Sequence, residues 1–305
     1  MLLTVAEAFT KFRSNLEPTS SEATDASRRQ TKVRQQVGAE LAVADSFLTG
    51  SYARNTAVRP LKDVDIMVVL GDDERGYLDQ VPSNILNKTR DILEAHYPGR
   101  VSTQARSVTV KFGTKVVNDT ADKVVAIDVV PAFIDGDNYK IPDTRASTWM
   151  STNPKVHKQL ATSCNTDLSG HWVPMVKMIK KANSHAGESR SSGKPVKPSF
   201  LLEVMARRLI VGPWTGTLPL ELRAFFASAA DLIDQPWPDP AGLGPDVSDR
   251  LHSSSGDLAA ARSWLNDTVA TCDLALRQAR NDQVGAALAT WQGLFGPLFV
   301  KSTST

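Results

Sequence analysis

Cysteine, long apolar runs and net charge are all scarce in this sequence. The 305 residues include 2 cysteines, Cys164 and Cys272, which are too few and too far apart for a disulfide framework or a CxxC metal site. Because no apolar run approaches the ~20 residues that span a bilayer, the sequence predicts no membrane segment and a cytoplasmic location. A formal net charge of +2 argues against a protein that coats long nucleic acids.

The rest of the composition is that of an ordinary globular protein, with 41% hydrophobic and 22% charged residues. The length allows one large domain or two. Changes of pattern along the chain predict three regions: an N-terminal helical arm over 1–45, an α/β core over 46–150 and a helical C-terminal half over 151–305. The predicted fold class is therefore α+β, with a mixed sheet and helices.

The spacing of apolar residues predicts the individual elements. The predicted helices cover about 4–16, 24–44, 82–96, 153–161, 168–184, 199–210, 218–234 and 256–280. The predicted strands begin near 47 and cover 64–70, 100–105, 107–112 and 124–130. Pro131 predicts the end of the last strand, and the composition of 187–198 predicts a flexible connection.

Two aspartates open the predicted strand at 64–70. Asp63 and Asp65 lie two apart, so their side chains project from the same side of the strand. Neighbouring carboxylates repel each other and raise each other's pKa unless a cation neutralises them. Such oxygen ligands suit Mg²⁺, with Mn²⁺ as the alternative.

A third aspartate, Asp128, lies inside the apolar run 124–130. A carboxylate buried in such a strand is costly unless it is paired or binds metal. On a strand next to Asp63 and Asp65, it would complete a two-metal clamp for phosphoryl transfer. Gly50 and Ser51 precede these aspartates, and a Gly-Ser pair lets backbone N–H groups and a hydroxyl cradle phosphate oxygens.

Each of these residues also has a plain structural interpretation. Asp63 alone is typical of a strand edge, Asp128 could pair with a Lys or Arg, and Gly-Ser is a common loop pair. Together, in the order strand, Gly-Ser, Asp-x-Asp and then Asp, they indicate metal-dependent phosphate chemistry.

The segment 50–65, GSYARNTAVRPLKDVD, resembles the signature of the DNA polymerase β-like nucleotidyltransferases. More narrowly it resembles the bacterial CD-NTases, relatives of cyclic GMP–AMP synthase and oligoadenylate synthetase. Further segments that resemble this group are IDVVPAF at 127–133, IPD at 141–143, TNPK at 152–155, VKMIK at 176–180 and PSFLLE at 198–203. The resemblance implies a bilobal fold with a polymerase β-like core, a helical C-terminal half and a central cleft.

The resemblance also implies roles for four further residues. Lys177 and Lys180 lie three apart on one helix face, and Lys180 is the better candidate for a triphosphate contact. Ser199 would touch phosphate. Phe200 would stack on a base, although its spacing from Val204 is equally typical of a core residue. Cys164 and the histidines are too sparse for the zinc insert of the animal enzymes.

The implied activity is a Mg²⁺-dependent enzyme that joins NTPs into a cyclic di- or trinucleotide second messenger. In this interpretation Asp63 and Asp65 hold the metals and Asp128 helps to deprotonate the attacking hydroxyl. The implied partners are NTP substrates, a separate effector protein activated by the product in anti-phage signalling, and regulatory proteins. The alternatives are an RNA 3′-end transferase, which near-neutral charge disfavours, an enzyme that nucleotidylates small molecules or proteins, and a non-catalytic nucleotide-binding scaffold.

Overall fold

The computed structural model describes residues 1–214 and 216–302, which form eleven α-helices, seven strands and one 3₁₀ helix. The helices are α1 Val5–Asn15, α2 Ser20–Gly38, α3 Gly50–Ala53, α4 Ser83–His96, α5 Pro154–Asp167, α6 Trp172–Glu188, α7 Ser199–Leu209, α8 Leu218–Leu232, α9 Asp249–His252, α10 Ser255–Arg280 and α11 Val284–Phe295. The strands are β1 Val43–Thr49, β2 Asp63–Leu70, β3 Val101–Thr103, β4 Val108–Lys111, β5 Ala126–Asp135, β6 Asn138–Asp143 and β7 Thr148–Thr152, and the 3₁₀ helix is Asp72–Asp79. Within the described ranges, no helix combines the length and apolar character needed to cross a bilayer.

All seven strands belong to one mixed sheet. Its main path runs β1-β2-β5-β4-β3, and β6 pairs with both β5 and β7. β2 and β5 are parallel, whereas the other pairs are antiparallel. The α+β fold class with a mixed sheet is thus confirmed.

The sheet core explains why β2 and β5 lie at its centre. Both strands carry fully buried Val and Ile residues, as expected for strands covered on their faces. Residues of α2 and α4, including Val33, Val37, Ile85 and Leu93, pack into the same apolar cluster. The central strands are therefore held by a continuous core, and the polar residues at their ends are placed by it.

Close contacts divide the chain into two compact units. The sheet unit comprises Pro18–Gln159 and Ala241–Gly244. The helical unit comprises Met1–Glu17, Leu160–Pro240 and the chain from Pro245 onward. This division differs from the expected boundaries at 45 and 150, because α1 belongs to the helical unit whereas α2 belongs to the sheet unit.

Aromatic packing accounts for the place of α1. Phe9 lies edge-to-face on Trp291 at 5.1 Å and on Phe299 at 5.2 Å, and Phe12 lies 4.6 Å from Phe295 between ring centroids. Such pairs add to the burial of large apolar surfaces. The first helix is therefore tied to α11, an element that the apolar spacing did not predict.

The bounds of several predicted elements differ from the structure. The strand expected to end at Pro131 continues to Asp135. Pro131 stands opposite Val68 of β2, but it lies between the residues that pair with β4 and those that pair with β6, so its missing N–H interrupts neither of these two ladders. The next two strands, β6 and β7, were not predicted; they lie at the end of the expected α/β core, and β7 continues to Thr152, two residues past the expected boundary at 150. α2 begins at Ser20 rather than at 24, because Thr19 and Glu22 form a capping box.

Candidate active site

The three predicted aspartates lie on the two parallel strands at the centre of the sheet. Asp65 on β2 stands opposite Asp128 on β5, and Asp63 stands opposite Ala126. Neighbouring strands lie about 4.8 Å apart, and residues that face each other point to the same side. The fold therefore brings Asp63, Asp65 and Asp128 to one face of the β2–β5 pair.

Asp128 has two distinct neighbours that act on its ionisation. Burial raises the pKa of Asp128, and the negative charge of Asp63 raises it further. The hydrogen bond from Thr109 acts in the opposite direction and lowers this pKa. The Thr109 hydroxyl on β4 donates to Asp128 Oδ1 and accepts from Gln104 Nε2 at 2.7 Å. Because Gln104 occupies a lone pair of this hydroxyl, its single proton is directed to Asp128.

Sequence reasoning passed over Thr109. Thr109 could have been found only from its pairing with Asp128 across β4 and β5. The sequence does not show this pairing, because the register of the two strands is set by the fold.

Gly50 lies directly against the Asp65 carboxylate. Its φ of +63° is in the left-handed region, and a Cβ added there would lie 2.9 Å from Asp65 Cβ and closer still to the carboxylate. Only glycine fits this position without displacing Asp65. The carbonyl of Ser51 accepts the N–H groups of Thr56 and Ala57 at 2.9 and 3.1 Å, so that the Gly-Ser loop is closed on itself beside the aspartates.

The acidic donor set fits a divalent cation that protein and nucleotide hold jointly. Among residues 1–214 and 216–302, no three Asp, Glu, His or Cys side chains converge closely enough to form a metal site by themselves. Mg²⁺ does not require such a cage, since it takes one or two carboxylates and fills its octahedron with water and phosphate oxygens. Asp63, Asp65 and Asp128 would supply the carboxylates, and Gly50 keeps a side chain out of the space beside Asp65.

The two predicted lysines lie in the helical unit, on α6. Lys177 is 3% exposed, and its Nζ lies 2.6 Å from Glu17 Oε2. Burial lowers the pKa of Lys177, although the bond to Glu17 opposes the effect. Lys180 Nζ lies 2.8 Å from Oε1 of the buried Glu203 on α7. Each lysine therefore has a carboxylate partner.

Ser199 and Phe200 open α7 in the same unit. Lys194 Nζ donates to Ser199 Oγ at 3.4 Å, and Phe200 is half-buried. The preceding loop, expected to be flexible, is anchored by two 2.9 Å hydrogen bonds between Asn183 and Val196. This anchor holds the approach to Ser199 against α6.

Two residues of the matching motifs have structural roles. Asp143, in the IPD motif, accepts two hydrogen bonds from Arg106 at 2.6 and 2.8 Å. Asn153, in the TNPK motif, accepts the N–H of Val156 at 3.2 Å and so caps α5. These motifs shape the sheet unit and the start of a helix.

Comparison with known proteins identifies the family of this architecture. The family model described as "Second Messenger Oligonucleotide or Dinucleotide Synthetase domain" (SMODS) matches residues 3–165, more than half of the chain. This range contains the aspartates and the Gly-Ser loop.

Similar proteins cover still more of the chain. A probable cyclic nucleotide synthase of Bacillus cereus (strain VD146) is 26% identical over 82% of this chain and 80% of its own length. A cyclic AMP-AMP-AMP synthase of Acinetobacter sp. is 31% identical over 59% of this chain and 52% of its own length. The structure of Escherichia coli MS115-1 CdnC in complex with HORMA-deltaN shares the fold, with a TM-score of 0.71 at 19% identity over 97% of this chain and 98% of that one.

These findings confirm the predicted resemblance to the bacterial CD-NTases and the predicted class of enzyme. The protein belongs to the family of Second Messenger Oligonucleotide or Dinucleotide Synthetase domains and is a nucleotidyltransferase that forms cyclic oligonucleotides.

Proposed function

We propose that this protein is a Mg²⁺-dependent synthase that joins NTPs into a cyclic di- or trinucleotide second messenger, with its chemistry centred on Asp63, Asp65 and Asp128. The observation that carries the proposal is the register that sets Asp65 opposite Asp128, beside a glycine that fits only because it has no side chain. Like charges on one face are costly unless a cation offsets them. Mn²⁺ is the alternative ion.

The proposed reaction is a series of nucleotidyl transfers, two for a dinucleotide ring and three for a trinucleotide ring. A ribose hydroxyl oxygen of one nucleotide forms a bond to the α-phosphorus of another, the bond from that phosphorus to the bridging oxygen breaks, and pyrophosphate leaves. A further attack of the same kind closes the ring. Asp128 accepts the hydroxyl proton, a role supported by its raised pKa. Asp63 and Asp65 would hold Mg²⁺, which when bound neutralises charge on the phosphate oxygens.

The remaining residues bind the nucleotide. Gly50 and Ser51 contact phosphate oxygens through the backbone and the hydroxyl. Lys180 binds the triphosphate by exchanging its contact with Glu203 for one with phosphate, whereas the buried Lys177 keeps its contact with Glu17. Ser199 donates to phosphate and Phe200 stacks on a base.

The product is proposed to act on a separate effector protein in the cytoplasm of a bacterium, as part of a response to phage. The E. coli relative of known structure is in complex with HORMA-deltaN, which supports a regulatory protein as a further partner. The formal charge of +2 fits mononucleotide substrates better than a long nucleic acid.

Product analysis tests this proposal. The purified protein is incubated with the four NTPs and either Mg²⁺ or Mn²⁺, treated with phosphatase, and examined by mass spectrometry. We expect a phosphatase-resistant cyclic product from the wild type and none from Asp63→Ala. The control Asp135→Asn, on the same strand as Asp128 but paired with Lys140 at 3.6 Å, should retain activity. A product only when RNA is added would favour an end transferase, and no product with either metal would contradict a synthase.

A further inference from the structure

Two carboxylates of α2 accept backbone N–H groups from the segments that lead into β2 and β5. Glu22 Oε1 accepts the N–H of Leu61 at 2.8 Å, and Asp25 Oδ2 accepts the N–H of Val124 at 3.1 Å. The side chains are 0% and 7% exposed. Because residues three apart share one face of a helix, a single face of α2 reaches both segments.

The two segments are also joined to each other. Val125 donates its N–H to the carbonyl of Leu61 at 3.0 Å. Leu61 lies two residues before Asp63, and Val124 lies two residues before Ala126, the residue opposite Asp63. One helix therefore holds the starts of both strands that carry the aspartates.

Further hydrogen bonds and ion pairs, made within α2 and its N-terminal cap, hold the carboxylates of Glu22 and Asp25 in place. Glu22 Oε2 accepts the N–H and the hydroxyl of Thr19 at 2.9 and 3.1 Å. Asp25 lies 2.6 Å from both Arg28 and Arg29. Burial disfavours ionisation of Asp25, but these arginines outweigh it and its pKa is lowered. Ionised acceptors make the stronger hydrogen bonds to N–H groups.

We propose that Glu22 and Asp25 are positioning residues for the reaction, acting through the backbone of Leu61 and Val124 on the placement of Asp63. The inference rests on the proposed function. Asp63 is exposed, so that the position of its carboxylate depends on where its backbone is held rather than on side-chain packing. A displacement of about 1 Å at a reacting centre can cost about a hundredfold in rate.

The chain supplies a matched control for the purely structural part of these bonds. Thr4 and Glu7 form the same kind of capping box in α1, in the helical unit. Thr19→Ala removes the hydroxyl from the α2 box but leaves Glu22 able to bind Leu61. If capping alone matters, Glu22→Ala, Thr19→Ala and Glu7→Ala should behave alike.

Amide hydrogen exchange tests the bonds directly, without nucleotide or metal. We expect Glu22→Ala to speed exchange at Leu61 by about tenfold or more, and Asp25→Ala to do so at Val124, while amides in the middle of the sheet stay protected. Thr19→Ala and Glu7→Ala should leave both amides as in the wild type. Unchanged exchange at Leu61 in Glu22→Ala would overturn the proposal.

Steady-state kinetics test the positioning role. We expect kcat to fall by about ten- to a hundredfold in Glu22→Ala and Asp25→Ala, with KM for NTP within about twofold of the wild type. Asp25→Asn keeps an oxygen for the Val124 N–H and should recover part of kcat, which also decides the question if an alanine variant does not fold.

The outcomes distinguish a failure of the positioning role from a failure of the proposed function. A Glu22→Ala variant with released exchange at Leu61 but the kcat of Thr19→Ala would overturn the positioning role. A wild type that makes no product would overturn the proposed function, while the exchange rates would still decide whether the carboxylates hold the strand starts.

Discussion

The sheet unit and the helical unit differ in how their charged residues are arranged: like charges share one face in the first, and opposite charges are paired in the second. On β2 and β5, Asp63, Asp65 and Asp128 bring like charges to one face, and the charge of Asp63 helps to raise the pKa of Asp128. On α6, Lys177 and Lys180 each have a carboxylate partner within 2.8 Å. The first arrangement is costly unless a cation offsets the charge, whereas the second is compensated within the protein. This difference supports the proposal that the acidic face carries the chemistry and that the two lysines assist it.

The largest effect on the rate of product formation is expected from a substitution that crowds the carboxylate of Asp65. Gly50→Ala places a Cβ against Asp65, so we expect the rate of product formation to fall about a hundredfold or more. Gly136→Ala is the matched control, because its φ of +61° is similar but an added Cβ would meet no described atom within 4 Å. That control should lose about 1 kcal/mol of stability and retain activity. Equal rates for the two variants, measured with purified protein, would refute the close fit.

A smaller effect tests the orientation of Asp128. Thr109→Val removes the hydroxyl that lowers the pKa of Asp128, so we expect kcat to fall about tenfold and the acid limb of the pH–rate profile to move to higher pH. The shift is to higher pH because the ionised Asp128 is the active form, and the lost hydrogen bond stabilised that form. Thr109→Ser should restore both values. Thr89→Val, which removes a buried hydroxyl bonded within α4, should leave the pH profile unchanged.

For Lys180 on α6, the expected effect of substitution is on the binding of NTP rather than on the rate of the chemical step. Lys180→Met removes one charge-assisted contact to phosphate, and we expect KM for NTP to rise about tenfold with kcat nearly unchanged. Initial rates over a range of NTP concentrations measure this. A fall in kcat as large as that of Gly50→Ala would contradict the division of roles between the acidic face and the two lysines.

The smallest effect is expected at Lys177. Its partner Glu17 is half-exposed, so Lys177→Met leaves Glu17 able to meet water and removes a buried charge whose pKa is already lowered. We expect a change in the free energy of unfolding within about 1 kcal/mol and an unchanged KM. Denaturant unfolding and the same rate assay check both values, and a tenfold rise in KM would assign Lys177 to the triphosphate instead.

The acidic face could be predicted from the sequence because its information is local. The period of two places Asp63 and Asp65 on one side of a strand, and a lone aspartate inside an apolar run singles out Asp128. Gly50 also stood out by its place before these residues. That β2 and β5 are neighbours is a property of the fold, because β3 and β4 lie between them in the chain.

The rest depends on contacts between distant parts of the chain. Asp25 bonds to Val124 across 99 residues, and Glu22 to Leu61 across 39, distances at which no periodicity operates. The packing of Phe9 against Trp291 is of the same kind. Likewise, Pro131 stands opposite Val68 of β2 but falls between the ladders with β4 and β6, a position that local propensity cannot reveal.

Binding of Mn²⁺ decides whether the face formed by Asp63, Asp65 and Asp128 binds a cation. Electron paramagnetic resonance can measure free Mn²⁺ in the presence of the protein and a non-hydrolysable ATP analogue. We expect tight binding by the wild type, binding weakened at least about tenfold in Asp65→Asn, and Mn²⁺ affinity within about twofold of the wild type in Lys180→Met at saturating analogue. Wild-type affinity for Mn²⁺ in Asp65→Asn would contradict cation binding at this face.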